Sequence, residues 1–267
     1  MRPPAHVLAA FCAAAEPEPL DGGQGHAWRS GDLVLKPLDW AMSPEELEWQ
    51  GRVLGAVRED GFRVSRLRQA KDGSALVDGW CAWEHVEGDH EERRWPEVIA
   101  VGERFHAALE RFPRPALIDA RTDHWAVGDR VAWGELPAAS FGHVRHVSRL
   151  VAALEPVDAL SQLVHGDLTG NVLFAPGLPP AVIDFSPYWR PPAFASAVVV
   201  GDALAWEGAG ESLLDAVEHI GSFPQFLLRA LIYRIVVDAL FRHGEPDRPD
   251  ADDFFLGPVE LACRLAG

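Results

Sequence analysis

Between residues 163 and 190 the chain carries three short apolar runs, each bordered by a polar oxygen donor. Leu163-Val164 runs into His165-Gly166-Asp167, Asn171 precedes Val172-Leu173-Phe174, and Ala181-Val182-Ile183 ends in Asp184-Phe185. Pro176-Gly177-Leu178-Pro179-Pro180 makes a tight connection between the last two. Apolar runs this short, bounded by turn residues, read as buried strands. The pattern predicts a small hairpin that brings Asp167, Asn171 and Asp184 close together at its ends. Their oxygens are hard ligands, suited to Mg²⁺ rather than to zinc.

The N-terminal part is read as mixed strand and turn. Val7, Leu8 and Phe11 fit one face of a short helix opened by Pro3-Pro4. Leu20 to Pro37 is read as strand, glycine-rich turn, strand, Ser-Gly-Asp turn, strand. Gly22, Gly23 and Gly25 in the first turn let backbone amides approach a phosphate. A plain β-turn has the same glycines, and no Gly-Lys-Ser/Thr follows to make a Walker A loop. The third strand ends at Lys36. Lysine and arginine total 24, yet only Lys36 and Lys71 are lysines. A lysine against that bias invites a chemical reason.

Ser43-Pro44-Glu45-Glu46 is a helix start, with a capping serine and proline at the first position. Leu47, Leu54 and Val57 supply an apolar face. Phe62–Gln69 and Ala75–Val86 are read as strands around a Lys71-Asp72-Gly73 turn. From Glu91 the chain is read as helical, with Val98, Val101, Phe105 and Leu109 spaced by three and four. Residues 114–139 read as irregular, with Trp125 and Trp133 packing there. Further helices are expected over 143–154, 193–206, 211–220, 224–242 and 250–266.

HGDLTGN followed by VIDF resembles the catalytic and metal-binding segments of the aminoglycoside phosphotransferase and choline kinase-like family, small-molecule kinases with the protein-kinase fold. The resemblance spans roughly residues 20–206, with the strong motifs confined to about 20 of them. It implies an α+β, two-lobed fold. An N-lobe over 1–86 would hold an antiparallel sheet with a helix, and a mainly helical C-lobe would run over 87–267. It implies ATP and Mg²⁺ as cofactors and a small-molecule acceptor carrying a hydroxyl.

By the same resemblance Asp167 is the catalytic base and Asn171 and Asp184 are the Mg²⁺ ligands. Gly22, Gly23, Gly25 and Lys36 hold the nucleotide phosphates. Glu48 is chosen as the partner of Lys36, with Glu45 as the alternative and Glu46 as a cap. The carbonyl of Glu84 and the amide of Val86 would meet the adenine edge. His165 is expected to brace the loop through hydrogen bonds, and Asp202 to support the loop backbone. Asn171 lies four positions beyond Asp167, where the family usually has five. Gly170 can absorb that shortening by taking φ > 0. If it does not, the alternative is a catalytically impaired nucleotide-binding module, a pseudokinase.

Composition narrows the classes that remain. Of 267 residues, 48% are hydrophobic, enough for a sizeable core. A net charge of −16 argues against a nucleic-acid or anionic-membrane surface. No run approaches the roughly 20 apolar residues of a membrane span. Three widely spaced cysteines, Cys12, Cys81 and Cys263, fit reduced thiols and a cytoplasmic location. Acids in the second half, including Glu211, Asp238 and Asp253, are read mainly as a solvated face.

Overall fold

A computed structural model describes residues 1–20, 26–242 and 253–267. In chain order its elements are α1 (Ala5–Ala10), β1 (Glu18–Pro19), β2 (Trp28–Ser30), β3 (Leu33–Pro37), α2 (Pro44–Ala56), β4 (Arg63–Val64), β5 (Leu67–Arg68) and β6 (Trp80–Glu84). Then come α3 (Trp95–Leu109), α4 (Ala116–Ala120), α5 (His124–Ala132), α6 (Val147–Ala152), β7 (Gln162–His165), β8 (Val172–Leu173), β9 (Ala181–Val182) and β10 (Pro187–Arg190). The chain closes with α7 (Pro192–Trp206), α8 (Phe223–Phe241) and α9 (Leu256–Ala266).

These elements form two compact units. One comprises Met1–Glu91 with Gly170–Phe185, the other Glu92–Thr169 with Ser186–Gly267. The boundary expected after residue 86 falls five residues later. The β8–β9 hairpin, assigned by sequence to the second half, is counted with the first unit.

In the first unit an antiparallel sheet runs β1-β2-β3-β6-β5. Its inner face buries Leu33, Leu35, Trp80 and Ala82 against Val7 and Phe11 at α1, the helix expected from Pro3-Pro4. The strand expected over 75–86 is confined to β6. Asp78 and Gly79 both take left-handed backbone (φ 49° and 76°), and Val77 and Trp80 exchange both backbone hydrogen bonds at 2.9 Å. That is the hairpin geometry an Asp-Gly pair favours. The strand expected over 62–69 splits in two: β5 joins β6, while β4 leaves the sheet and pairs in parallel with β9. Arg63 fastens that junction, donating from Nε to Pro179 O and from Nη2 to Glu87 O, both at 2.7 Å.

The second unit is helical around the two-stranded ribbon β7–β10. Val98, Val101, Phe105 and Leu109 are buried as their spacing predicts. The helix begins at Trp95 rather than Glu91, and α6 and α9 are likewise shorter than expected. Residues 211–217 form a 3-10 turn instead of an α-helix. The region read as irregular contains α4 and α5. Asp123 caps α5 by accepting from the Ala126 amide at 3.0 Å. Its buried face is small, and at Gly128 an added Cβ would lie 2.9 Å from Tyr233 O. No described helix is long and apolar enough to cross a membrane.

Candidate active site

The first unit holds the candidate nucleotide and metal groups. Lys36 sits on β3, and its Nζ hydrogen-bonds Asp184 Oδ1, just beyond β9. Residue 184 has φ 47°, a left-handed conformation that aspartate tolerates better than most residues. The neighbouring Phe185 ring stacks on Trp49 of α2, with centroids 6.4 Å apart. The β8–β9 hairpin aligns Asn171 with this corner: the Ile183 amide donates to Asn171 O at 3.0 Å. Asp184 and Asn171 offer a carboxylate and an amide oxygen, the donor types that suit Mg²⁺. Among the described residues no three His, Cys, Asp or Glu side chains cluster to hold a metal. One carboxylate with an amide fits an ion that takes its remaining ligands from phosphates and water.

Helix α2 starts as read, with Ser43 Oγ accepting from the Glu46 amide at 3.1 Å. Glu48, the residue chosen as the partner of Lys36, sits on the outer side of the helix. Its side chain is 59% exposed and lies 3.9 Å from Arg52, its partner one turn on. Glu46 turns inward instead, only 5% exposed, and accepts from Gln50 Nε2 at 3.3 Å. Gln50 and Val53 are buried with Leu47 and Leu54. At about 100° per residue they swing the buried stripe toward 46 and away from 48.

At the end of β6, Glu84 O accepts from Ser65 Oγ at 2.7 Å, which leaves a carbonyl one further lone pair. The Glu84 carboxylate meets Arg68 at 3.3 Å. Val86 is half-buried beyond the strand. Gly22, Gly23 and Gly25 lie outside the described residues.

The second unit holds the candidate base. His165 ends β7 fully buried, and its Nδ1 accepts from the amides of Asp167 (3.2 Å) and Ser186 (3.4 Å). The imidazole thus braces the loop as expected. Gly166 is required by close approach: a Cβ there would lie 2.3 Å from the Tyr188 ring. Leu168, buried against Gly102 of α3, anchors the far side. Asp167 itself is 39% exposed. Gly170 takes φ 76°, the left-handed turn that the shortened loop needs.

One group escaped the sequence reading. Arg234 of α8 donates from Nη2 to Asp167 Oδ1 at 2.7 Å and also grips Asp202. The available signal was an arginine inside an apolar helix, because a buried charge demands a partner. Arg190, at the end of β10, is a packing group: it is buried against Asp129 and Glu135. Several acids of the second half have partners: Asp238 pairs with Arg242, Glu211 pairs with Arg264, and Asp253 hydrogen-bonds the His146 ring.

Behind His165 lies a second buried histidine, His106 of α3, whose Nε2 accepts from the His165 amide at 3.1 Å. Burial, helped by the neighbouring His165, holds the His106 imidazole down at about 3. The unfolded chain takes up this proton below about pH 6.5, and the folded chain refuses it until about pH 3. Between those values the unfolded state binds more protons, so stability falls as pH falls, by about 1.4 kcal/mol per pH unit. Urea unfolding of wild type and His106→Gln between pH 7 and 4.5 tests this. The variant is expected to have the shallower dependence; equal slopes would exclude His106 as the source.

Comparison with known proteins identifies the family and the fold. Residues 18–192 match the model of the phosphotransferase enzyme family. No curated protein sequence matches the chain. An aminoglycoside phosphotransferase from Alicyclobacillus acidocaldarius superposes with a TM-score of 0.65 at 17% identity, covering 100% of this chain and 95% of that one. A microcompartment-associated aminopropanol kinase gives 0.62 at 18% identity, covering 95% and 91%. A thermostable aminoglycoside phosphotransferase mutant, solved in ternary complex with AMP-PNP and hygromycin B, gives 0.55 at 15% identity, covering 93% of each chain. With well over half its length matched by the family model, and with the kinase-like fold of these neighbours, this chain belongs to the phosphotransferase enzyme family, the small-molecule kinases.

Proposed function

We propose that this phosphotransferase moves the γ-phosphoryl group of ATP, in the presence of Mg²⁺, to a hydroxyl of a small molecule. The observation that carries the reading is the bond between Lys36 and Asp184. In a kinase these two positions face the same phosphates, the lysine directly and the aspartate through its metal. Lys36 would bind the nucleotide phosphates, and the inward-facing Glu46 is the acid of α2 available to orient it. Asn171 and Asp184 would hold Mg²⁺, which when bound supplies charge neutralisation at the phosphates. Glu84 and Val86 offer backbone groups to adenine.

Asp167 takes the proton of the acceptor hydroxyl as that oxygen attacks phosphorus, and ADP leaves. The pseudokinase reading rests on the shortened loop, and the positive φ at Gly170 supports the active reading over it. The aminopropanol kinase and the hygromycin-bound neighbour suggest amino alcohols and aminoglycosides as first acceptors.

Calorimetry of ATP binding with and without Mg²⁺, on wild type and Asp184→Asn, tests the nucleotide site. Binding strengthened by Mg²⁺ in wild type and not in the variant is expected. ADP release would then be followed with 1-amino-2-propanol and hygromycin B. Absence of ATP binding in every condition would reduce the likeness to fold alone.

A further inference from the structure

Helix α8 is apolar over most of its length, yet it buries two guanidinium groups from Arg229 and Arg234. They are used differently. Arg229 donates to the backbone carbonyls of Gln225 and Glu155, at 2.8 Å each, and so ties α8 to the loop after α6. Arg234 meets no backbone acceptor among its hydrogen bonds in the described structure. Its Nε donates to Asp202 Oδ1 at 2.7 Å and its Nη2 to Asp202 Oδ2 at 2.5 Å. The same Nη2 also donates to Asp167 Oδ1 at 2.7 Å.

The three groups are graded from core to surface. The Asp202 side chain is 2% exposed, Arg234 11% and Asp167 39%. Asp202 sits on α7 and Arg234 on α8, two helices packed along each other. A bidentate fork on a buried carboxylate leaves the guanidinium plane little freedom, so the direction of its remaining donors is set. The Tyr233 and Trp206 rings flank it at 5.1 Å and 5.8 Å. Burial would pull the Arg234 proton off, but Asp202 and Asp167 hold it on far more strongly. The cation is therefore permanent.

A carboxylate on a loop has three staggered χ1 wells to sample. Asp167 leaves the end of β7 on such a loop, yet one of its oxygens is held by an arginine that is itself clamped from below. From this geometry we infer that Arg234 is a positioning residue for phosphoryl transfer. Anchored by Asp202, it holds the Asp167 carboxylate in one rotamer, so that the proton-accepting group faces the acceptor in a fixed direction. Displacement of a base by about 1 Å is enough to cost on the order of 10²-fold in rate. Arg234 touches neither substrate nor nucleotide in this role, and acts only through Asp167. The inference rests on Asp167 being the base.

The test compares Arg234→Met, Arg234→Lys and the double variant Asp202→Leu/Arg234→Met with wild type and Asp167→Ala. The double variant removes the buried carboxylate together with its partner, so it keeps the fold where the single variant is too unstable to study. ADP release is measured with 1-amino-2-propanol and hygromycin B, and the Asp167 rotamer is read from crystal structures. Arg234→Met and the double variant are expected to lose about 10- to 100-fold in kcat while KM for ATP stays within about threefold. Arg234→Lys should recover part of that loss, since an ammonium reaches one carboxylate well but cannot reproduce the fork. In the crystals Asp167 should spread over more than one rotamer once Arg234 is gone. Wild-type kcat in a folded double variant, or an unchanged single Asp167 rotamer without Arg234, overturns the inference. Wild-type turnover by Asp167→Ala would instead overturn the assignment of the base, and the rotamer comparison would still decide whether Arg234 positions that side chain.

Discussion

Asp167→Ala is expected to lower phosphate transfer by about 10²- to 10⁴-fold, the range for losing a positioned general base. ATP binding should persist. Lys36, Asn171 and Asp184 are bonded within the first unit and do not depend on the Asp167 carboxylate. Folding should persist as well. Removing Asp167 leaves Arg234 still gripping Asp202 with two hydrogen bonds, so no buried charge is stranded. The loop backbone keeps its brace, because His165 Nδ1 accepts from the residue-167 amide and not from its side chain. Calorimetric ATP binding, a melting temperature and ADP release on the same preparation separate these effects. Turnover equal to wild type would mean that another group takes the proton.

The largest stability effect is expected at Arg190. Its Nε and Nη2 grip Asp129 at 2.9 and 2.6 Å, and its Nη1 reaches Glu135 at 2.6 Å. The guanidinium also lies 5.1 Å from the Trp133 ring, which Arg229 approaches as well, again at 5.1 Å. Burial pushes the Asp129 carboxyl up, and Arg190 is what opposes that. Arg190→Met strands a buried carboxylate, which typically costs about 3–5 kcal/mol. A chain of this size should then melt lower by on the order of 10 °C.

Two controls follow from the same physics. Asp129→Leu/Arg190→Met, which removes both charges, should regain most of the loss. Since the charged carboxylate is the penalised form, the single variant should also lose less at low pH, where Asp129 is protonated. A single variant that melts like wild type would show that water reaches Asp129 and the pair contributes little.

Much of this architecture was legible because its causes are local. Ser43 and Pro44 announce α2, and the spacing of Val98, Val101, Phe105 and Leu109 announces the buried stripe of α3. Lys36 stood out against the arginine bias, and it does bond Asp184, the aspartate that ends the Ala181-Val182-Ile183 run. Gly170 was the residue able to take a left-handed turn, and it does. Each of these signals lies within a few residues of what it specifies: a cap, a helical repeat, a turn.

What the sequence left open depends on partners far along the chain. The acid of α2 that turns inward is decided by what covers Gln50 and Val53, and it is Glu46 rather than Glu48 that is buried. Whether Arg63-Val64 stays in the first sheet or pairs with Ala181-Val182 turns on an edge more than 100 residues away. The ribbon β7–β10 joins two runs of which only the first read as a strand, because Pro187–Arg190 shows no alternation of its own. Helix α5 presents Gly128 to α8, and its value there is close approach. Arg234 is the sharpest case. Its sequence neighbours are apolar, and its meaning arises only when α7 brings Asp202, and the loop brings Asp167, to the same guanidinium. Propensity and periodicity act over one or two turns of chain, whereas a buried charge is given its role by whichever opposite charge the tertiary packing sets beside it.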